Sequence, residues 1–220
     1  MSAAEEFMVL RVIQQRNFNL NGGNMSNRIK FTYRDKPMEF VTHNKVFSPQ
    51  NIDIGTMAML SQVEFSEGDK VLDVGCGYGI VGVLAAKLVG DSNVTMCDIS
   101  SDAITLTKKN IELNDVKNIK VIQCNALEKV EDTDFTIILS NPPYHVDFSV
   151  PKAFIEQGYK KLLYGGKMYM VTKRKEWYKN KFISVFGGVK IYESEGYYVF
   201  MSEKIQRKDM KYKKNKPSTK

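Results

Sequence analysis

The stretch Val71-Leu72-Asp73-Val74-Gly75-Cys76-Gly77-Tyr78-Gly79-Ile80-Val81-Gly82 leaves few folds open to this chain. An apolar run, Val71 to Val74, carries one acid at its third position. A glycine turn ends the run, and an apolar segment of helical character follows from Ile80 to Leu88. The pattern reads as strand, tight turn and helix. Gly75, Gly77 and Gly79 permit positive φ and let a ligand approach the backbone closely. The helix begun by the turn points its N–H groups at that ligand. Turns of this kind bind several sorts of nucleotide, so glycine spacing alone does not choose among them.

Asp73 helps to choose. A dinucleotide fold would set a pyrophosphate on this turn. A carboxylate just before the turn repels a pyrophosphate and suits the ammonium of a methionine. A generic βα turn is the plain structural alternative. The run Asp73-Val74-Gly75-Cys76-Gly77-Tyr78-Gly79 resembles the first motif of the class I S-adenosylmethionine-dependent methyltransferases.

Size and charge bound the reading. A chain of 220 residues, 43% hydrophobic, is long enough for one α/β domain with a sizeable core. It holds no apolar run long enough to span a membrane, and Met1 to Glu6 lacks the order of a secretory signal. Three cysteines, an odd number without framework spacing, point to reduced thiols and a cytoplasmic setting. The net charge of +7 is uneven. Lys173 to Lys220 holds fourteen Lys/Arg and five Asp/Glu, while the preceding residues hold eighteen and twenty. A basic C-terminal third on a near-neutral body suits a polyanionic partner, with a solubilising tail as the alternative.

In chain order, Phe7 to Arg16 is expected to form a short helix and Asn17 to Asn27 a loop. Ile29 to Tyr33 and Met38 to Thr42 alternate apolar and polar residues and predict a hairpin across Arg34-Asp35-Lys36-Pro37. Val46-Phe47-Ser48-Pro49 and Asp53-Ile54-Gly55-Thr56 precede a helix expected from about Met57, with Thr56 a candidate cap. Beyond the glycine turn, Asn93 to Asp98 is a second strand ending in an acid. Asp98 lies nineteen residues past Gly79, where an α/β fold places a carboxylate against ribose hydroxyls. Ser100 and Ser101 are available to cap the next helix, Asp102 to Asn114. Asn118 to Cys124 is a third strand, followed by Asn125-Ala126. Cys76, Cys97 and Cys124 fall near the ends of three neighbouring strands, so a loose cluster is expected there, without a metal site.

A second motif follows a buried apolar strand: Asp134-Phe135-Thr136-Ile137-Ile138-Leu139-Ser140, then Asn141-Pro142-Pro143-Tyr144. The two prolines stiffen the loop and leave carbonyls without a neighbouring proline N–H. This resembles the Asn-Pro-Pro-Tyr loop of methyltransferases acting on planar nitrogen. His145 beside it reads equally as pocket lining or exposed loop. Lys152 to Tyr164 is expected as a helix ended by Gly165-Gly166, then a strand Lys167 to Thr172. Arg174 to Phe186 is a further helix broken by Gly187-Gly188. Val189 to Ser194 and Gly196 to Met201 form a closing hairpin, which ordinary dinucleotide folds lack. The Lys-rich segment from Lys204 to Lys220 is expected to be disordered when free.

The Phe-Ser and Asp-x-Gly-Thr pair, the glycine turn and Asn-Pro-Pro-Tyr together resemble the catalytic domain of the small-subunit rRNA guanine-N2 methyltransferase family, from about Lys45 to Glu203. The resemblance implies a Rossmann-like α/β fold: a seven-stranded, mostly parallel sheet with an antiparallel last strand and helices on both faces. Residues 1–44 would be a lead-in with a β-hairpin, and residues 204–220 a basic tail. It implies S-adenosyl-L-methionine as cofactor, held by Phe47, Thr56, Asp73, Gly75, Cys76, Gly77, Gly79, Asp98, Ile99, Asn125, Ala126 and Asn141. The family usually has an acid where Asn125 stands. Asn141, Pro142, Pro143 and Tyr144 would carry the chemistry, the Asn oxygen and proline carbonyl accepting hydrogen bonds from the target NH₂. The implied partner is RNA, as rRNA or a ribosomal particle, with no membrane; monomer and dimer both stay open. A protein glutamine N5-methyltransferase, an adenine-N6 enzyme and a non-catalytic RNA-binding protein are the competing functions.

Overall fold

The computed structural model describes residues 11–15, 26–43, 52–143 and 145–206. Strands β1 (Arg11–Gln15), β2 (Ser26–Tyr33) and β3 (Lys36–His43) make a small antiparallel sheet. Helix α1 (Ile54–Leu60) leads into an alternating series. This runs β4 (Val71–Val74), α2 (Ile80–Val89), β5 (Val94–Asp98), α3 (Ser101–Leu113) and β6 (Lys120–Gln123). It continues through β7 (Phe135–Ser140), α4 (Ser149–Lys161), β8 (Leu162–Thr172) and α5 (Glu176–Phe186), closing with β9 (Lys190–Ser194) and β10 (Tyr197–Glu203).

Seven strands form the main sheet in the order β6-β5-β4-β7-β8-β10-β9. Only β10 runs against its neighbours, as the closing hairpin predicts. Alternate residues serve opposite faces. Val71, Ile137 and Leu139 join the core against α2 and α3, whereas Leu72, Val74 and Ile138 join Phe182, Phe186 and Phe200 on the other side. The chain steps outward from β4 to β6 and then crosses back to β7 on the opposite side of β4. That reversal leaves a crevice at the carboxyl ends of these strands.

Two expectations fail. Arg11–Gln15, inside the expected helix Phe7 to Arg16, is a strand paired with β2 from Arg11↔Thr32 to Gln15↔Arg28. A hairpin edge presents a row of N–H and C=O groups, and pairing with them outweighs a weak helical pattern. The remainder of that stretch, with residues 16–25, lies outside the described residues. The second failure is Gly165-Gly166, which lies within β8 and does not end a helix. Helix α4 stops at Lys161, and Leu162 is already extended. Gly165 takes φ 87° where the β7–β8 register shifts, so the pair makes an irregularity in the strand. The β2–β3 hairpin stands as expected, turning on Arg34 and Asp35 with φ 44° and 60°.

The small sheet is joined to α3 by two side-chain amides. Asn110 accepts from Val41 N–H (2.7 Å) and donates to Val41 C=O (3.0 Å). Asn114, one turn later, does the same with Glu39 (3.1 and 2.7 Å). Two amides at i and i+4 thus imitate a partner strand. No helix among the described residues is long and apolar enough to cross a membrane.

Gly166→Ala should lower the melting temperature, because the new methyl would lie 2.8 Å from the Phe135 carbonyl oxygen. Overpacking of this sort costs about 1–3 kcal/mol. Gly188→Ala, whose methyl meets nothing within 4 Å, should melt like the parent. Equal melting of the two variants would contradict this packing.

Candidate active site

A cavity of about 360 Å³ opens at the carboxyl ends of β4, β5, β6 and β7. Of the residues expected to bind or react, Thr56, Asp73, Gly75, Cys76, Gly77, Asp98, Ile99, Asn125, Ala126, Asn141 and Pro143 line it. Gly79 and Pro142 are not among the lining residues. Phe47 and Tyr144 lie outside the described residues.

The glycine turn is clamped by the next βα unit. Gly75 and Cys76 N–H both donate to the Cys97 carbonyl (2.9 and 3.0 Å). Gly77 N–H donates to Asp98 Oδ2 (2.9 Å). From α3, Thr107 Oγ1 donates to the Gly77 carbonyl (2.9 Å) and Asn110 Nδ2 to the Tyr78 carbonyl (2.7 Å). Gly77 has φ 58°, and a methyl added there would meet no atom, so the turn presents bare backbone to the cavity. Gly79 is needed for packing: it opens α2 in the left-handed region, with Thr107 Oγ1 3.1 Å from where a Cβ would stand.

Asp73 is buried, 2% exposed, and accepts Gly82 N–H at 3.0 Å. Burial pushes its carboxyl up to about 7; the Gly82 N–H opposes this and the Asp98 charge adds to it. A carboxylate held in such a pocket gains from a cationic ligand group. Asp98 is fixed by Gly77 N–H on one oxygen and Ser100 N–H (2.9 Å) on the other. Each carboxylate oxygen has a second lone pair for a ligand hydroxyl. Ser100, not Asp98, caps α3 by accepting Ala103 N–H. Ile99 beside it is 66% exposed, an apolar side chain on the cavity rim.

At the far end Asn125 donates to Glu128 Oε1 (3.2 Å). Ala126 takes φ 46°, uncommon for a residue with a Cβ, and its carbonyl accepts from the thiols of Cys97 and Cys124. The expected loose cluster of three thiols is present at the cavity wall, all unbridged and buried. The hydrogen bond shared with Cys124, and then burial, push the Cys97 thiol up.

Asn141 closes the other side. Ser140 Oγ donates to the Val74 carbonyl (2.9 Å), tying the end of β7 to the residue before the glycine turn. Asn141 Nδ2 donates to Asp53 Oδ2 (2.7 Å) and Thr56 Oγ1 (2.8 Å). Thr56 is not the helix cap expected of it. Asp53 is, accepting Thr56 N–H at 2.8 Å, so α1 starts three residues earlier than expected. Aspartate is the stronger cap, and its spacing from Thr56 is that of N-cap to third helical residue.

Sequence reading missed Asp53 as part of the wall, and with it Val150 and Phe154 of α4. Val150 and Phe154 are four apart on a helix that follows the Asn-Pro-Pro loop, a spacing that marks one face. Asp53 carries the cap signal, three residues before the cap expected at Thr56.

The reversed strand order, the clamped glycine turn and the Asn-Pro-Pro loop on one cavity define a class I S-adenosylmethionine-dependent methyltransferase. The buried Asp73, the paired Asp98 and the open face of Gly77 fit that cofactor. The family model described as Methyltransferase small domain matches residues 37–201, and the chain belongs to that family. It is 29% identical to the uncharacterized protein YbxB of Bacillus subtilis, over 80% of this chain and 90% of that one. It is 27% identical to ribosomal RNA large subunit methyltransferase G of Klebsiella pneumoniae, over 78% of this chain and 48% of that protein. The T. thermophilus 16S rRNA N2 G1207 methyltransferase, solved with AdoMet and guanosine, superposes with a TM-score of 0.72 at 23% identity. That match covers 89% of this chain and 51% of the other. The chain thus spans about half the length of each of these two ribosomal RNA methyltransferases.

The Asp73 carboxyl gives a pH-dependent stability with a definite sign. Its value in the fold lies above its ordinary one, so the fold holds a proton that the unfolded chain has released. Stability from this group therefore falls as pH rises from about 4 to about 7. Asp73→Asn keeps an acceptor for Gly82 and should gain on the parent across that window, by up to a few kcal/mol. Denaturant melts at pH 5 and pH 8 give the comparison, and a stability difference independent of pH would contradict it.

Proposed function

We propose that this methyltransferase acts on an exocyclic amino group of a nucleobase in RNA, with guanine N2 of small-subunit rRNA as the foremost target. The observation that carries the reading is the place of Asn141. It stands at the end of β7, on the wall of the cavity that the glycine turn opens. Bound S-adenosylmethionine supplies an electrophilic methyl group. The chain positions the reactants. Asp73 is assigned to the cofactor's ammonium, Asp98 to its ribose, and Ile99, Asn125 and Ala126 to its adenine, with Phe47 folding over it.

A base amine has its lone pair delocalised into the ring. Hydrogen bonds from its N–H groups to the Asn141 oxygen and the Pro142 carbonyl localise that pair and aim it. Tyr144 is assigned to stack on the base and Pro143 to keep the loop stiff. The displaced proton leaves to solvent, so no general base is assigned.

Charge supports nucleic acid over a peptide. Exposed Lys173 and Arg174 follow directly on β8, on the edge of the sheet where the cavity opens. Aromatic rings steady them: Arg174 lies 4.9 Å from the Phe148 ring centre and Lys173 4.8 Å from that of Tyr197. Such cations bind phosphate without reading sequence. The basic segment 207–220, outside the described residues, would extend this contact. The names of the ribosomal RNA enzymes it resembles point the same way. The three reduced thiols suit the cytoplasm.

Asn141→Ala should lose about 10²-fold or more in methyl transfer to total ribosomal RNA, as when one transition-state hydrogen-bonding group is removed. Its affinity for S-adenosylmethionine by calorimetry should stay near that of the parent. Transfer at the parent rate would sink the mechanism.

A further inference from the structure

The structure assigns a positioning role to Asp53 and Thr56: together they decide which end of the Asn141 amide meets the reacting amine. This rests on the amino-group chemistry proposed above. An asparagine amide has a donor end and an acceptor end of nearly the same shape, exchanged by half a turn of the side chain. Only the oxygen can accept from a base NH₂. With the amide reversed, NH₂ would face NH₂, and the loop would hold its substrate poorly and leave the lone pair delocalised. Some feature of the site must remove this ambiguity.

Asp53 and Thr56 remove it. Asn141 Nδ2 donates to Asp53 Oδ2 at 2.7 Å and to Thr56 Oγ1 at 2.8 Å. Asp53 Oδ2 also accepts the Thr56 backbone N–H at 2.8 Å, and a backbone N–H has no other part to play, so this oxygen acts as an acceptor. Reversing Asn141 would press its oxygen against that acceptor, a repulsive contact at hydrogen-bond distance. The amide is thereby held with Nδ2 toward α1 and Oδ1 turned to the opposite side. Donation to a carboxylate also polarises the amide and strengthens its oxygen as an acceptor.

The segment Asp53-Ile54-Gly55-Thr56 reads as one device. Asp53 caps α1, which locks its carboxylate in place. Gly55 makes the room: a Cβ there would lie 2.7 Å from the Tyr197 ring and 2.9 Å from Asp53 Oδ2. Thr56, 5% exposed, adds the second acceptor from inside the helix. Ile54, between them, is 55% exposed and takes no part. The motif before the glycine turn therefore acts on a residue 88 positions ahead of Asp53.

Two variants of the full chain separate orientation from folding. Thr56→Val keeps shape and backbone N–H and removes the hydroxyl. Asp53→Ser keeps a good cap and is too short to reach Asn141. Single-turnover transfer from tritiated S-adenosylmethionine to total ribosomal RNA should fall about tenfold or more in each. Cofactor affinity of Asp53→Ser by calorimetry should stay within about twofold, and Thr56→Ser should restore most of the rate lost in Thr56→Val. In an Asn141→Ala background neither change should cost anything further, since residues acting as one unit are not additive. A second readout needs no substrate. In protein labelled with ¹⁵N-asparagine, the Asn141 NH₂ signals, identified by their loss in Asn141→Ala, should exchange slowly with solvent and speed up in both variants.

Parent-like transfer by both variants, additive losses, or an Asn141 NH₂ that exchanges as fast as surface amides would each overturn the role. If Asn141→Ala is inactive while both variants turn over normally, only the positioning role falls. If Asn141→Ala itself turns over normally, the amino-group reading falls and takes this role with it.

Discussion

The glycine turn after β4 holds its shape because the following βα unit grips it from three sides. Its N–H groups are taken by the Cys97 carbonyl and the Asp98 carboxylate, and its carbonyls by Thr107 and Asn110. Positive φ at Gly75, Gly77 and Gly79 exposes backbone that would otherwise demand water or collapse. The clamp satisfies those groups on the inner side and leaves the outer side for a ligand. Asp98 thus fixes the turn while it also lines the cavity. Asn110 extends the grip to the small N-terminal sheet by bonding both Val41 and Tyr78.

The second half of the site is tethered to the first by short links across the strand reversal. Ser140 binds the Val74 carbonyl, and Asn141 reaches α1 through Asp53 and Thr56. Segments that lie far apart in the chain therefore meet within hydrogen-bond distance of one another. The sheet supplies rigidity, and the cavity forms where the strand order reverses. Exposed Ile99 stands on the rim, and exposed Lys173 and Arg174 follow the carboxyl end of β8.

Much of this could be read from residue order. The alternation of strands and helices from Val71 to Met201, the acid ending β5 and the closing hairpin all follow from local patterns with one dominant interpretation. Two kinds of feature could not be read that way. Arg11–Gln15 became a strand because β2 offered it an edge, and Gly165-Gly166 entered β8 because a register shift needed room beside Phe135. Both depend on a partner distant in sequence. The wall residues Asp53, Val150 and Phe154 belong to the same class, since their roles exist only once α1 and α4 lie against the loop after β7. Glycine and asparagine motifs were legible because their chemistry is backbone chemistry, local by nature.

What remains is the identity of the methylated atom. Incubating the protein with tritiated S-adenosylmethionine and, separately, total rRNA, tRNA, DNA and protein, then resolving the labelled products by mass, tests this directly. The account predicts label in rRNA, recovered as guanosine methylated on N2. Label recovered in glutamine or in N6-methyladenine, or no transfer to RNA at all, would contradict it.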